Sequence, residues 1–249
     1  MKGNWCKALF VNLSDGTAEI RGLPEEWFRD YVGGEGVAAR LFLDLAAEGP
    51  DPLGPDNPLI FAAGPLSGTA APCSGRCVAF FRSPAGGTLG ASNGGGHFGP
   101  ALKRSGVDLL VITGAASSPK ILVVDDGAAR LEDASNLWGK GVAETEDAVK
   151  ARLDGSGWQV ASIGPAGENL VRFAAIMTDK HRAFGRGGPG AVMGSKKLKA
   201  VAIRGTKTLP IADPEELREA AKAAREELFA ETFVREELHP FGTPSFYDA

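Results

Sequence analysis

The sequence predicts an α+β fold in which antiparallel strands dominate and one half of the chain repeats the other. Predicted strands outnumber predicted helices, and several strands are joined by turns of hairpin length. A glycine-rich turn, a short basic helix and an apolar strand also occur twice, at residues 94–114 and at residues 181–205. Similarity of this kind within one chain indicates an internal duplication.

The first half is predicted to contain a hairpin, two helices and two buried strands. Apolar and polar residues alternate on both sides of Ser14-Asp15-Gly16, which is typical of a hairpin. Pro24 followed by two acidic residues indicates a helix start, and Gly33-Gly34 ends that helix. The predicted segments are strands at 6–13, 17–21, 59–63 and 76–82, and a second helix at 37–47.

The rest of the chain is predicted to contain six further strands and a helix, and to end in a separate helical segment. Asp213 followed by Pro214 and two acids forms a helix N-cap, and the helix is predicted to continue to about residue 232. The other predicted segments are strands at 108–113, 120–124, 130–131, 158–163, 171–177 and 200–203, and a helix at 144–153. We therefore predict a first domain at residues 1–209 and the start of an incomplete helical domain at 210–249.

Two segments contain no acidic residue although the chain is acidic overall. Asp and Glu number 31 against 27 Lys and Arg, yet residues 57–107 and 180–207 contain neither acid, where the first segment would hold about six at average density. Glycine turns at helix starts expose main-chain N–H groups, so both segments are predicted to face phosphate. The alternative is a solvated basic surface. The bases are Arg76, Arg82, Lys103, Arg104, Lys180, Arg182, Arg186, Lys196, Lys197, Lys199, Arg204 and Lys207.

Composition excludes several classes of function. A net charge of -4 argues against nucleic acid as the main partner. No apolar run approaches the roughly 18 residues of a membrane span, and the N-terminus does not resemble a signal peptide, so no membrane partner is predicted. Three cysteines without paired spacing favour a reducing, cytoplasmic location.

Several motifs leave alternatives open. Residues 94–99 satisfy GxGxxG, so a Rossmann-type dinucleotide site is one alternative, but the segment before the turn is short and consists of small residues. Cys73 and Cys77 form a lone CxxxC, which is interpreted as two buried structural thiols, the alternative being a zinc or iron–sulfur site. His97 and His181 flank the turns and either contact phosphate or are ordinary loop residues. No Ser-His-Asp set or paired carboxylates stand out, so no catalytic residue is assigned to this chain.

Longer motifs resemble the N-terminal domain of tungsten-containing aldehyde ferredoxin oxidoreductases. They are GNW near the start, FAAGPLSGTAAPCSGR, ASNGGGHFG, DASNLWGK and the run SIGPAGENLVRFAAIMTDKHRAFGRGGPGAVMGSKKLKA. The resemblance covers residues 1–212, and the last run is long enough to be specific. It implies two intertwined halves of β-sheet with flanking helices, followed by the start of a helical domain.

The resemblance also implies roles for individual residues. Arg76 matches the family's arginine between a pterin and an iron–sulfur cluster. Asn93 and Ala183 match the residues whose main-chain carbonyls hold magnesium. The other implied cofactor-binding residues are Gly94, Gly95, Gly96, Arg182 and Gly185.

The implied cofactor is tungsten, or molybdenum, held by two molybdopterins (pyranopterins) whose phosphates are bridged by Mg²⁺. The implied reaction is oxidation of an aldehyde by water, with electrons passing through a [4Fe–4S] cluster to ferredoxin. The cluster ligands are expected outside this sequence, so the chain is interpreted as a fragment, a split subunit or a degenerate binding domain, with a homodimer or partner subunit left open. Alternatives are a non-catalytic pterin-binding or subunit-docking module and an aromatic acyl-CoA reductase-type member of the same family.

Overall fold

The computed structural model describes residues 2–46 and 49–247, and within them the strands form two six-stranded mixed sheets. The first sheet consists of β1 (Lys7–Asn12), β2 (Ala18–Gly22), β3 (Leu59–Ala63), β4 (Cys77–Arg82), β5 (Leu89–Gly94) and β6 (Leu109–Thr113). The second sheet consists of β7 (Lys120–Asp125), β8 (Ala128–Asp133), β9 (Gln159–Ser162), β10 (Ile176–Thr178), β11 (Arg182–Phe184) and β12 (Leu198–Arg204).

The two sheets have the same topology, which confirms the predicted duplication. The strand order is β2-β1-β6-β3-β4-β5 in the first sheet and β8-β7-β12-β9-β10-β11 in the second. In each sheet the second and third strands of this order, β1 with β6 or β7 with β12, are parallel, whereas the other neighbours are antiparallel. Consequently β5 and β11 occupy equivalent edges of the two sheets.

Helices cover the outer faces of the sheets and also enter the core between them. Two helices pack on the outside of the first sheet and one on the outside of the second, while the short helices after the glycine turns contribute to the central core. The helices are α1 (Glu25–Tyr31), α2 (Gly34–Leu45), α3 (Phe98–Arg104), α4 (Val142–Arg152), α5 (Pro165–Glu168), α6 (Pro189–Ser195), α7 (Pro214–Ala230) and α8 (His239–Phe241).

An aromatic cluster joins the two halves in the central core. The ring of Phe61 on β3 lies 5.2 Å from the ring of Phe98 on α3 and 5.5 Å from the ring of Phe184 on β11, each pair edge to face. All three side chains are buried. Edge-to-face rings stabilise a contact beyond their burial by about 0.5–1.5 kcal/mol. The cluster therefore fixes β11 of one half against the core of the other.

The structure differs from the predicted elements mainly before the second glycine turn. The strand predicted at 171–177 is reduced to β10, and the segments β5, α5 and β11 are not among the predicted elements. Gly190 N–H at the start of α6 donates to Ala174 O at 2.8 Å, so the main chain before β10 binds a helix start and not a neighbouring strand. The helix predicted at 37–47 begins earlier, at Gly34, and Ala47 lies outside the described residues.

Three lysines of the acid-free segments, Lys103, Lys196 and Lys199, are buried in the core. Lys103 pairs with Asp108 and donates to Asn4 Oδ1 at 2.9 Å. Lys199 pairs with Glu168. Lys196 donates to two main-chain carbonyls, Pro55 O at 2.9 Å and Gly114 O at 3.1 Å. These cations satisfy buried polar groups, so the prediction that they face phosphate is wrong.

The helical segment after residue 209 begins as the sequence predicts. Asp213 Oδ1 accepts from the main-chain N–H groups of Glu215 at 3.0 Å and Glu216 at 2.9 Å, which caps α7. Only Ala221 of this helix is buried. Across the described ranges, no helix combines the length and the apolar character needed to cross a bilayer.

The buried Lys196 generates a prediction about alkaline stability. Burial lowers the pKa of Lys196 to about 8 from its ordinary 10.5, and nearby Asp56 opposes this shift. Between pH 8 and 10.5 the unfolded chain therefore binds more protons than the folded chain, so the folded state gains stability as the pH rises. We expect the free energy of unfolding of the wild type to rise relative to Lys196→Met by on the order of 2–3 kcal/mol between pH 7.5 and 10.5. Urea unfolding of both proteins at the two pH values measures this, and a constant difference would contradict it.

Candidate cofactor-binding site

The two glycine turns lie side by side because β5 and β11 adjoin at the edges of their sheets. The first turn, residues 94–97, begins at the last residue of β5 and leads into α3. The second turn, residues 185–188, follows β11 and leads into α6. The same strand–turn–helix unit is thus presented twice at one surface, once from each half.

Hydrogen bonds from one half to the other hold the turns together. Arg186 N–H in the second turn donates to Ser92 Oγ on β5 at 3.0 Å. Ser83 Oγ, just after β4, donates to Gly187 O at 2.6 Å. Both serine side chains are buried, so these bonds are shielded from water. The relative position of the two turns is therefore set by the main fold.

The glycines of the turns serve different physical purposes. A Cβ on Gly94 would lie 2.8 Å from the Phe184 ring, so Gly94 is required by core packing. Gly96 has φ +99° and a side chain there would overlap the Asp179 carboxylate, so it is required by backbone shape and by a close contact. Gly95 has no atom within 4 Å of a Cβ, and Gly185 has only Ala183 Cβ at 3.8 Å. These two leave open space in which a ligand can approach the main chain.

Unpartnered arginines surround the turns. Of the twelve bases in the acid-free segments, nine contact a carbonyl, a carboxylate or an aromatic ring. The remaining three are Arg76, Arg182 and Arg186, whose guanidinium groups have no hydrogen bond or ion pair to the described part of the chain. All three are exposed. A free guanidinium beside a glycine turn with open space around its main chain is suited to phosphate.

Arg76 is placed at the first turn by the packing of its own backbone. A Cβ on Gly75 would lie 2.8 Å from Gly96 O, and a Cβ on Gly99 would lie 3.2 Å from Arg76 O. The two segments are therefore in close main-chain contact. Arg182 approaches the same turn from the second half, with its Cγ 3.3 Å from a Cβ on Gly96. The structure thus brings both arginines to one glycine turn.

Asn93 and Ala183 occupy neighbouring edge strands. Asn93 lies on β5, where it pairs with Val78, and its side chain is exposed. Ala183 lies on β11, where it pairs with Met177, and is half-buried. The adjoining strands bring the two residues to the same surface, one from each half. Their role as magnesium ligands stays a prediction.

The sequence alone does not indicate that one acidic residue, Asp179, lies at this surface. Asp179 directly precedes the second acid-free segment, and its carboxylate accepts from His97 N–H in the first turn at 2.9 Å. The contact spans 82 residues of sequence, so no local pattern signals it. Residues 57–107 lack acids in sequence, but in three dimensions this turn does contact a carboxylate.

The alternative motifs do not form sites of their own. The GxGxxG turn follows an antiparallel edge strand, whereas a dinucleotide fold places a parallel strand there. Cys77 is buried, and burial raises the pKa of its thiol to about 12. Cys73 is exposed, so the prediction that both thiols are buried is wrong for Cys73. Within residues 2–46 and 49–247, no group of three His, Cys, Asp or Glu side chains is arranged to hold a metal ion.

A cavity of about 1010 Å³ lies away from the two turns. Its lining includes Asn12 and Thr113 at the ends of the parallel strands β1 and β6, three prolines, and Asp56. Its lining contains an acid and no base. The cavity therefore does not fit a phosphate ligand, and the surface around the turns remains the better candidate.

Comparison with known proteins identifies the family. The family profile described as "Aldehyde ferredoxin oxidoreductase, N-terminal domain" matches residues 8–205. The chain belongs to this family. A tungsten-containing aldehyde ferredoxin oxidoreductase of Pyrococcus furiosus is 48% identical over 213 residues, which are 86% of this chain and 35% of that protein. The protein of the same name from Pyrococcus abyssi is 44% identical over 243 residues, 98% of this chain and 40% of that protein.

A solved structure from the same family confirms the fold. The match is to a chain in the structure titled "Active site complex BamBC of Benzoyl Coenzyme A reductase in complex with 1,5 Dienoyl-CoA", with a TM-score of 0.89 and 36% identity. It covers 92% of this chain and 35% of that chain. The present chain therefore spans 35–40% of the length of these relatives and corresponds to the N-terminal domain of the family.

The glycine geometry predicts which substitutions the fold tolerates. Gly94→Ala and Gly96→Ala are each expected to destabilise the chain by about 1–3 kcal/mol, because the first meets an aromatic ring and the second adds a strained φ. Gly95→Ala is expected to stay within about 0.5 kcal/mol of wild type, as is the control Gly22→Ala, which also has free space around it. Denaturant unfolding distinguishes them. Equal destabilisation by Gly94→Ala and Gly95→Ala would contradict the assignment.

Proposed function

We propose that this chain is the cofactor-binding N-terminal domain of an aldehyde:ferredoxin oxidoreductase-type enzyme. Such an enzyme oxidises aldehydes to carboxylic acids at a tungsten or molybdenum centre held by two molybdopterins. The observation that carries the proposal is the set of three unpartnered, exposed arginines around two adjoining glycine turns. The two turns give each of two phosphorylated pterins one partner.

The residues at this surface fit a doubly phosphorylated ligand. Arg182 and Arg76 offer guanidinium groups that can bind phosphate through two parallel hydrogen bonds. Gly95 and Gly185 leave the main chain open to close approach. The nearby Asp179 carboxylate is already engaged by His97, which reduces its repulsion of an anion. The proposed cofactor-binding set is Arg76, Asn93, Gly94, Gly95, Gly96, Arg182, Ala183 and Gly185.

Each residue of this set has a defined task in the proposal. Asn93 and Ala183 hold Mg²⁺ through their main-chain carbonyls, since hard cations prefer oxygen ligands. Arg182 and the two open glycines bind phosphate. Arg76 orients a pterin towards the path along which electrons leave. Gly94 and Gly96 act indirectly, because they allow the turn to pack against Phe184 and Asp179.

The chemistry itself is assigned to the bound cofactor. When bound, the tungsten pterin supplies the two-electron chemistry that converts an aldehyde and water into a carboxylic acid, two protons and two electrons. This chain contributes binding and orientation, and no catalytic residue is proposed in it. The [4Fe–4S] cluster and the contact with ferredoxin are assigned to regions outside this sequence. Residues 1–209 form the binding domain in this proposal, and 210–249 begin a helical domain.

A second candidate has structural support from the benzoyl-CoA reductase match. The TM-score of 0.89 is as compatible with a domain of an aromatic acyl-CoA reductase as with an aldehyde oxidoreductase. Both would hold the same kind of cofactor at the two turns. The greater identity to the aldehyde oxidoreductase relatives, 44–48% against 36%, is why the aldehyde reaction is preferred.

The first test of this proposal is the composition of the protein. We expect the full chain, produced with its natural partners in an anaerobic host supplied with tungstate and molybdate, to contain pterin together with tungsten or molybdenum. Elemental analysis and the fluorescence of oxidised pterin measure both. A purified protein with neither metal nor pterin would overturn the proposal. A nucleotide in place of the pterin would favour the Rossmann alternative.

The arginines give a second test. Arg76→Ala and Arg182→Ala are expected to weaken pterin retention about tenfold or more, since charge-assisted hydrogen bonds are lost. The free energy of unfolding should change by less than about 0.5 kcal/mol, because both side chains are exposed and unpartnered. Arg218→Ala, an exposed arginine on α7, is the control and should retain the pterin of the wild type. Loss of pterin in the control as well would show that the arginine site is not specific.

A further inference from the structure

Asp179 places a carboxylate beside the first glycine turn, although the sequence segments 57–107 and 180–207 contain no acid. Its side chain is only 19% exposed, and it belongs to the turn between β10 and β11 in the second half. Its Oδ2 atom lies on the first glycine turn, which belongs to the other half. A single side chain therefore links the first glycine turn to the β10–β11 pair, and β11 leads into the second glycine turn.

The contact of Asp179 with the first turn is specific. Oδ2 accepts from His97 N–H at 2.9 Å and lies 3.1 Å from His97 Nδ1. The same oxygen occupies the space that a side chain on Gly96 would need. The third glycine of the turn is thus explained by this carboxylate and not by a ligand.

The turn that carries Asp179 is itself anchored to α4. Asp179 and Lys180 adopt φ values of 48° and 57°, a left-handed conformation that costs free energy in residues other than glycine. Lys180 N–H donates to Glu146 Oε2 at 2.9 Å, and Lys180 Nζ lies 2.8 Å from Asp147 Oδ2. The buried Glu146 is in turn held by Lys150 Nζ at 2.7 Å. The main-chain bond to the buried Glu146 compensates for the strained backbone and fixes the turn in place, whereas the exposed pair with Asp147 contributes little.

The negative charge of Asp179 indicates that this residue has a structural role and does not bind an anionic ligand. A carboxylate beside an anion-binding turn repels the anion and lowers its affinity. The two contacts with His97 offset part of this repulsion. Because Asp179 lowers the affinity for an anion, its presence is consistent with a structural role. In the structure it connects the first turn rigidly to the second half.

We propose that Asp179 is a positioning residue that fixes the first glycine turn relative to the second, so that both turns can bind one cofactor together. This inference rests on the proposed function for its consequence in cofactor binding. The structural claim, that Asp179 fixes the turn at residues 94–97, does not depend on the proposed function. Asp179 itself touches neither metal nor substrate in this proposal.

The experiment compares Asp179→Ala and Asp179→Asn with the control Asp147→Ala in the full chain. The control removes the neighbouring pair with Lys180 Nζ but leaves the His97 contact intact. Amide hydrogen exchange at His97 should be at least about tenfold faster in Asp179→Ala, because its main-chain N–H loses a charged acceptor. Pterin retention should fall about tenfold in the same variant. Asp179→Asn keeps an oxygen acceptor and should restore part of both properties.

The outcomes separate the inference from the proposed function. Unchanged His97 exchange in a folded Asp179→Ala protein would overturn the inference, and so would equal pterin loss in Asp179→Ala and Asp147→Ala. If Asp179→Ala fails to fold, the decision rests on Asp179→Asn, where faster His97 exchange than in the control supports the inference and no change overturns it. A wild-type protein without pterin would overturn the proposed function, while the exchange data would still decide the role of Asp179.

Discussion

The contact between β5 and β11 is the constraint on which the proposed site depends. Each strand is the edge of its own sheet, and the duplication places both edges at the same end of the fold. The aromatic cluster of Phe61, Phe98 and Phe184 lies beneath them, and buried serine hydroxyls bond across the junction. Because these groups belong to the core, the two glycine turns cannot separate without disrupting it. The packing of the fold therefore brings together the two turns of the proposed site, one from each repeat.

The division of the basic residues between core and surface gives this site its charge. The lysines at 103, 196 and 199 are buried and bind carboxylates or main-chain carbonyls, which secures the loops behind the turns. Arg76, Arg182 and Arg186 remain exposed beside the turns. A lysine can bury its long apolar stem and place three donors on nearby carbonyls, whereas the planar guanidinium suits paired bonds to phosphate. Acid depletion in the sequence thus reflects a core requirement at the lysines and, in our proposal, a binding surface at the arginines.

Much of this architecture can be predicted from local sequence. The remaining parts could not be predicted, because they are determined by contacts between residues that are distant in sequence. The hairpin at Ser14-Asp15-Gly16, the strand β3 and the cap at Asp213 were predicted because their signals lie within a few residues. The short strand β11 has three residues and no periodicity, so only its pairing with β10 defines it. Burial of Lys196 and the position of Asp179 depend on partners more than 80 residues away. The family resemblance supplied the site residues that periodicity could not, and the fold then explained which glycines serve packing and which leave space.

The central claim is that both turns together hold one phosphorylated metal–pterin group. Diffraction at the tungsten or molybdenum absorption edge, from crystals of the full chain purified anaerobically with its cofactor, tests this most directly. The account predicts one anomalous peak at the surface shared by the two turns, with phosphate density against residues 93–97 and 182–187. A peak elsewhere on the molecule, or phosphate density that contacts only one turn, would contradict it.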